Sequence, residues 1–156
     1  MLVMSNIAKR LTFEARFGGF FLNNMILLLS PAKRLNEEQK HFFNPTHAPV
    51  FQADAVKVNA ALKKLSAKKL MNLQGISADL AAQNRERNIV FNTQPQAQIY
   101  QQAVFMFNGD AYLGLDAATL SPKALDFAQQ HLRILSGMYG LLKPLDFVEP
   151  YRLEMG

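Results

Sequence analysis

The sequence contains no cysteine. Without thiols the chain can form no disulfide, no thiolate zinc site and no iron–sulfur cluster. Histidine is also scarce, and the three that exist, His41, His47 and His131, show no close helical pair spacing of the kind that holds a metal. We therefore expect no metal centre and no cofactor. The absence of cysteine fits a reducing compartment such as the cytoplasm.

Long hydrophobic runs are lacking as well. No apolar stretch approaches the roughly 20 residues that span a bilayer, so we expect no membrane partner. Residues 1–24 are also unlike a secretory signal, because Lys9, Arg10, Glu14 and Arg16 interrupt the segment. A basic amphipathic membrane anchor is the alternative interpretation. We expect residues 1–24 to be a disordered or mis-started extension, with the natural start at Met25.

The sequence has no Walker-type phosphate loop, no dinucleotide fingerprint and no nucleophile elbow. The net charge is +5, of which residues 1–24 contribute +2, so the remaining 14 basic and 11 acidic residues give only +3. A mild excess is weak evidence for a nucleic-acid partner, since the distribution of charge matters more than its sum. One cluster of five lysines contains no intervening acid, and it suits either phosphate contacts or an ordinary solvated helix face. Its members are Lys57, Lys63, Lys64, Lys68 and Lys69.

Apolar periodicity and capping residues predict a fold rich in helices. The length of 156 residues corresponds to about one domain. A buried strand is expected at residues 25–29, where Ser30-Pro31 ends it, and a second at residues 132–136. Helices are expected at residues 52–64, from Ser66 to Gly75, at 77–87, at 95–107 and at 121–130, followed by an irregular tail. These elements predict an α/β (α+β-like) fold, in which several helices pack on a small mixed sheet.

Four segments contain polar residues that suit a site. Lys33 follows the first predicted strand, at the position where α/β proteins favour ligands, and it can meet an anion or simply lie on the surface. Asp110 follows Gly109 as a turn or helix-cap residue. Two glycines three apart, Gly137 and Gly140, resemble weakly the glycine hairpin of helix-hairpin-helix DNA binders, with a tight structural turn as the alternative. Arg152 suits either pairing with Glu154 or holding an anion.

Together these segments resemble the YaaA family. The matching motifs are the strand and Ser-Pro-Ala-Lys at Met25–Lys33, Asn-x-x-Arg at Asn84 and Arg87, the glycine-rich segment Phe107–Leu115, the stretch Gln129–Gly140, Pro-Leu-Asp at Pro144–Asp146, and Pro150–Gly156. The resemblance covers residues 25–156 as the N-terminal portion of a single domain. Family members continue beyond this point with further strands and many basic residues. We therefore expect a truncated copy whose sheet is incomplete without the C-terminal half, with exposed apolar surface.

The resemblance implies a bacterial cytoplasmic protein of peroxide stress that limits free iron and binds DNA, with some preference for branched or distorted DNA. The expected phosphate contacts are Lys33, Arg87, Arg133, Lys143 and Arg152. The alternative is an enzyme of unknown reaction, which we consider less favoured, with a polar pocket formed by Ser30, Lys33, Asp110, Tyr139, Arg152 and Glu154. Direct iron sequestration ranks last, because the sequence lacks cysteine and its histidines are scattered.

Overall fold

The computed structural model describes residues 25–37, 43, 47–91 and 101–155. Its helices are α1 (Gln52–Leu62), α2 (Ala67–Gln74), α3 (Ala78–Val90), α4 (Ala103–Met106), α5 (Asp110–Leu115) and α6 (Pro122–His131), with a 3₁₀ turn at Ala117–Thr119. The strands are β1 (Leu27–Leu29), β2 (Gln101–Gln102), β3 (Leu132–Ser136), β4 (Gly140–Leu142) and β5 (Phe147–Val148). This mixture of helices and small sheets confirms the predicted fold class. Residues 1–24, predicted to be an extension, lie outside the described part.

The larger sheet has the strand order β1-β3-β4. β1 runs parallel to β3 with Leu29 opposite Ile134, and β3 runs antiparallel to β4 with Ile134 opposite Leu142. A parallel pair needs a long crossover connection, and here the helices between residues 52 and 131 provide it. The smaller sheet pairs β2 with β5 in antiparallel orientation.

The two faces of the larger sheet differ in burial. Leu29, Ile134 and Leu142 point to one face and are buried in the core. Because successive side chains alternate between faces, Ile26 and Leu28 point to the other face, where they are 52% and 62% exposed. Two neighbouring apolar side chains of this strand segment are therefore exposed on the same face.

Serine caps fix the starts of three helices. The hydroxyl oxygens of Ser66, Ser77 and Ser121 accept hydrogen bonds, each at 3.3 Å, from the backbone N–H groups of Lys69, Leu80 and Ala124 respectively. Each bond satisfies one of the N–H groups that a helix start leaves without an intrahelical partner. Gly75 ends α2 with φ +60°, a conformation that glycine adopts without a Cβ penalty. These boundaries confirm the predicted caps.

The prediction of a helix at residues 95–107 is wrong at Gln101 and Gln102 and is confirmed at Ala103–Met106. Gln101 and Gln102 form β2 and pair with Val148 and Phe147, and only Ala103–Met106 is helical. The tail predicted to be irregular also contains β4 and β5. In both cases the partner strand supplies the backbone hydrogen bonds, and local periodicity contains no information about that partner. Residues 95–100, the rest of the predicted helix, lie outside the described residues.

The helix-hairpin-helix interpretation of Gly137 and Gly140 is also wrong. Gly137 lies in the turn of a β-hairpin between β3 and β4, and Gly140 is the first residue of β4, paired with Ser136. The Tyr139 N–H donates to the Ser136 hydroxyl at 2.8 Å, so this amide does not face an external phosphate. A Cβ on Gly137 would stand 2.4 Å from the Leu153 carbonyl oxygen. Close contact with the chain end therefore explains this glycine.

Within the described residues, no helix combines the length and the apolar character that crossing a membrane requires.

Candidate anion-binding site

The carboxyl ends of the two parallel strands meet at one edge of the sheet. Ser30 follows β1 and Ser136 ends β3. The Tyr112 hydroxyl donates to the Ser30 carbonyl oxygen at 2.8 Å. The Tyr151 and Ser136 hydroxyls form a buried hydrogen bond of 2.7 Å. Two tyrosines from distant parts of the chain thus fix the loops at the edge where α/β proteins favour ligands.

These tyrosines belong to a chain of aromatic contacts. The Phe107 ring lies 5.4 Å from Tyr112 and 6.3 Å from Tyr151, and the Tyr151 ring lies 5.6 Å from Tyr139. Burial raises the pKa of Tyr151 to about 12, although its hydrogen bond with Ser136 opposes this change. Burial, followed by the proximity of Tyr151, also raises the pKa of Tyr112. Both hydroxyls therefore remain protonated at neutral pH and support the edge as neutral hydrogen-bonding groups.

Three charged side chains form a cluster beside this edge. One oxygen of the Glu154 carboxylate lies 3.3 Å from the Lys33 ammonium, and the other lies 2.7 Å from an Arg152 guanidinium nitrogen. The hydrogen bond from Lys33, opposed by desolvation and supported by the hydrogen bond from Arg152, lowers the pKa of Glu154. An open cavity of about 240 Å³ adjoins the cluster and is lined by Ser30, Lys33, Arg152 and Glu154. The structure therefore brings four of the predicted site residues together.

The two cations of the cluster are held differently. Arg152 has a side chain only 16% exposed, and its carbonyl oxygen accepts a 3.0 Å hydrogen bond from the Gln74 side-chain amide. The Arg152 Nε is buried and has no hydrogen-bond acceptor among the described residues. Lys33, in contrast, is 71% exposed. The Arg152 side chain is thus mostly buried on a backbone that Gln74 holds, whereas the Lys33 side chain is mostly exposed.

Asp110 lies in a neighbouring cleft rather than in the cluster. This cleft of about 310 Å³ is also lined by Arg34 and Asn108, and it shares the wall Ser30–Lys33 with the first cavity. Asp110 is the first residue of α5, which begins where Gly109 lies so close to Ala32 that a Cβ would stand 3.0 Å from the alanine methyl carbon. The segment predicted as a turn or a helix cap is therefore the start of a short helix packed on the Ser-Pro-Ala-Lys loop.

Tyr139, predicted to line a pocket, is only 1% exposed. Its hydroxyl accepts a hydrogen bond from the Glu149 N–H at 3.0 Å. Tyr139 lies behind Tyr151 and supports the cluster through packing.

The other predicted basic contacts lie elsewhere. On α3, the Arg87 guanidinium pairs with the Glu37 carboxylate and donates to the Asn84 side-chain oxygen at 3.0 Å. Arg133 and Lys143 lie one residue beyond the Ile134–Leu142 pair of β3 and β4, towards the end of the sheet opposite Ser136. The five predicted phosphate contacts therefore fall into three separate places.

Arg133 also has local partners. Its guanidinium donates to the carbonyl oxygens of Gln129 and Leu132 at 3.1 and 2.7 Å. These carbonyls belong to the end of α6, where a cation is favourable.

The lysine cluster of α1 and α2 is exposed to solvent. Lys57 pairs with Asp54 at 2.9 Å, and Lys63 donates to the Ile89 carbonyl oxygen at 3.0 Å near the end of α3. These contacts support the interpretation of a solvated helix face for this part of the cluster.

Sequence reasoning missed several residues that build the site. Tyr112, Tyr151, Ser136 and Gln74 position the edge, yet none of them shows a spacing pattern that indicates this role. Tyr112 and Tyr151 do occur inside the motifs quoted above, and a buried tyrosine usually needs a hydrogen-bond partner. This general rule is the one sequence signal that indicates a positioning role for Tyr112 and Tyr151.

Comparisons with known proteins identify the family. The family model described as "Peroxide stress protein YaaA" matches residues 25–156. A UPF0246 protein of Jannaschia sp. is 48% identical over 132 residues, which is 85% of this chain and 50% of that protein. UPF0246 proteins of Ruegeria pomeroyi and Burkholderia mallei are each 46% identical, covering 85% of this chain and 51% of theirs. The chain thus spans about half the length of the curated relatives it matches. On this match across residues 25–156, the chain belongs to the YaaA family of peroxide stress proteins.

Proposed function

We propose that this chain contributes to peroxide-stress protection in the cytoplasm as part of a protein that contacts the phosphates of DNA. The observation that supports the proposal is the convergence of Lys33 and Arg152 beside an open cavity at the carboxyl edge of the parallel strands. The two residues come from opposite ends of the described chain, and the fold brings them to one carboxylate.

The chemistry of these two side chains suits phosphate. Arginine offers a planar fork of N–H donors that matches an oxyanion, and lysine adds a compact positive charge. A preorganised guanidinium loses less conformational entropy on binding than a free one, and Arg152 is mostly buried. Exposed Lys64, Lys68 and Lys69 would add sequence-independent attraction to DNA.

The second basic group, Arg133 and Lys143, would extend the contact along the sheet. The strand rise of about 3.3 Å per residue places Arg133 roughly 10 Å from Ser136. Arg87 contributes least to the proposal, because Glu37 already neutralises its charge.

The salt dependence of DNA binding tests this proposal. The chain would be titrated against a fluorescently labelled branched DNA and a linear duplex between 50 and 200 mM KCl, with anisotropy as the readout. We expect log affinity to fall linearly with log salt, with a slope of about −0.9 for each duplex phosphate contacted. The Lys33→Ala variant should flatten the slope by about one contact. Comparing the affinities for the branched DNA and the linear duplex tests the preference for branched DNA that the resemblance implies.

Arg85→Ala is the matched control, because Arg85 is a basic residue that pairs with Glu86 on α3 and does not line the cavity beside the cluster. We expect this variant to leave the slope close to that of the unmodified chain. A flat salt dependence, or equal effects of both variants, would contradict phosphate contact at Lys33.

An enzyme remains the second candidate because of the cavity beside the cluster. Its acid, Glu154, has a lowered pKa and is therefore a poor proton donor at neutral pH. Asp110 lies in the neighbouring cleft and Tyr139 is buried, so the predicted polar pocket is divided. The binding function is therefore better supported than catalysis.

The resemblance also implies that the protein helps limit iron-dependent oxidative damage, and direct iron binding by this chain is the less favoured route. Within the described ranges, histidine, aspartate and glutamate nowhere form a group of three or more that could hold a metal ion. His131 stacks on Phe127 at 4.2 Å and contacts the Met25 carbonyl oxygen, which is a structural arrangement. Anaerobic calorimetric titration with ferrous iron tests this point, and saturable heat at micromolar iron would favour direct sequestration instead.

A further inference from the structure

Glu154 occupies the position that an oxyanion ligand would take. Its two carboxylate oxygens are divided between two cations, one contacting Lys33 and the other contacting Arg152. Two oxygens of a phosphate group can meet the same two cations in the same way. The arrangement therefore resembles an anion site that is filled by an acid of the chain itself.

The carboxylate satisfies this site incompletely. Arg152 presents five N–H donors, and Glu154 accepts from one terminal nitrogen of the guanidinium. The Arg152 Nε remains without an acceptor among the described residues although it is buried. A buried donor without a partner is unfavourable, and a tetrahedral phosphate offers more acceptor oxygens than a carboxylate that is shared with Lys33.

The carboxylate is also the exchangeable member of the cluster. Glu154 is 38% exposed, whereas the Arg152 side chain is 16% exposed and the Gln74 side chain holds its backbone. Exposed ion pairs contribute little net stability. Displacing Glu154 therefore leaves the hydrogen bond that holds the Arg152 backbone in place.

We propose that Glu154 is an internal counter-ion that covers a phosphate site formed by Lys33 and Arg152, and that an incoming phosphate group displaces it. This inference rests on the proposed function, because it places the phosphate at the same two cations. The phosphate belongs either to a nucleic-acid backbone or to a small phosphorylated molecule, and both present the same oxygens. Because an incoming anion must displace Glu154, anions that bind Lys33 and Arg152 only weakly do not occupy the site.

The test measures binding of inorganic phosphate to the whole chain by calorimetry at constant pH and ionic strength. Glu154→Gln removes the charge and nearly preserves the shape, and we expect it to raise phosphate affinity about two- to fivefold, the scale of an exposed ion pair. Glu86→Gln is the matched control, because Glu86 is an exposed glutamate in an ion pair with Arg85. Adding Arg152→Lys to Glu154→Gln should abolish the gain, since lysine lacks the planar fork.

The inference is overturned if Glu154→Gln binds phosphate no more tightly than Glu86→Gln, with both variants folded by circular dichroism. A parallel titration with duplex DNA separates the two sources of phosphate. If Glu154→Gln tightens both ligands, the inference and the DNA proposal are supported together. If it tightens inorganic phosphate alone, the inference holds for a small phosphorylated ligand, and the proposed DNA contact at this site fails.

Discussion

Replacing Gly137 with alanine would show whether the β3–β4 hairpin positions the charge cluster. A Cβ at this residue would stand 2.4 Å from the Leu153 carbonyl oxygen, whereas ordinary van der Waals contact starts near 3.4 Å. The backbone at Leu153 must therefore move by about 1 Å, and its neighbours Arg152 and Glu154 would move with it. Overpacking of this kind costs roughly 1–3 kcal/mol of unfolding free energy.

Gly140→Ala provides a control within the same hairpin. Gly140 has φ +68°, which an alanine adopts at a cost of roughly 1–2 kcal/mol. Its Cβ would meet only a Phe51 ring carbon, at 3.5 Å, which is ordinary contact. The two substitutions should therefore destabilise the chain to a similar extent, for different reasons, and only one of them should displace Leu153.

Urea unfolding measures the loss of stability, and phosphate calorimetry measures the state of the cluster. We expect both variants to unfold at lower urea, and we expect Gly137→Ala alone to change phosphate affinity. Wild-type stability and wild-type phosphate binding in Gly137→Ala would refute the reasoning that the contact with Leu153 holds the chain end in place. Equal changes of phosphate affinity in both variants would show that the hairpin as a whole, and not its contact with Leu153, affects the cluster.

Two further predictions concern stability. Tyr151→Phe should lower the unfolding free energy by about 1 kcal/mol in urea titrations, because it removes the hydrogen bond to Ser136. Since burial raises the pKa of Tyr151 from 10.0 to about 12, its contribution to stability is complete below pH 10.0 and is lost as pH rises through 12. Stability in this range should fall less steeply in Tyr151→Phe, and an identical fall in both proteins would contradict the assignment. Ser121→Ala should cost about 1 kcal/mol by thermal or urea unfolding, because it removes the cap on the Ala124 N–H, while Ser121→Thr should retain most of that stability.

The local features of the fold were largely predictable from the sequence. Serine followed by a helical pattern located the starts of α2, α3 and α6, and Gly75 located an end, because caps depend on hydrogen bonds between near neighbours in the chain. The strand at residues 132–136 followed from its alternating pattern. In contrast, the short strands β2, β4 and β5 contain too few residues for a pattern, and they form because a partner strand completes their hydrogen bonds.

The candidate site was predictable as a set of residues but not as an arrangement. The sequence indicates Ser30, Lys33, Arg152 and Glu154, and pairing with Glu154 is one of the two roles that it allows for Arg152. The sequence also suggested Asp110 and Tyr139 with equal weight, yet one lies in a neighbouring cleft and the other is buried behind Tyr151. The spacing of these residues along the chain does not show which of them line the cavity beside the cluster and which lie outside it.

Residue identity and contacts between near neighbours account for the family, the mixed α/β class, the capped helices and the absence of thiol chemistry, so all four can be read from the amino-acid order. Which residues share a site depends instead on long-range contacts in the folded chain. Parallel pairing of β1 with β3 brings Ser30 and Ser136 to one edge, and the contact of Leu153 with Gly137 brings the chain end over that edge. Lys33 and Arg152 then meet at one carboxylate. Because most of the chain lies between these two residues, the fold must close a long loop to bring them together, and no local pattern describes that closure.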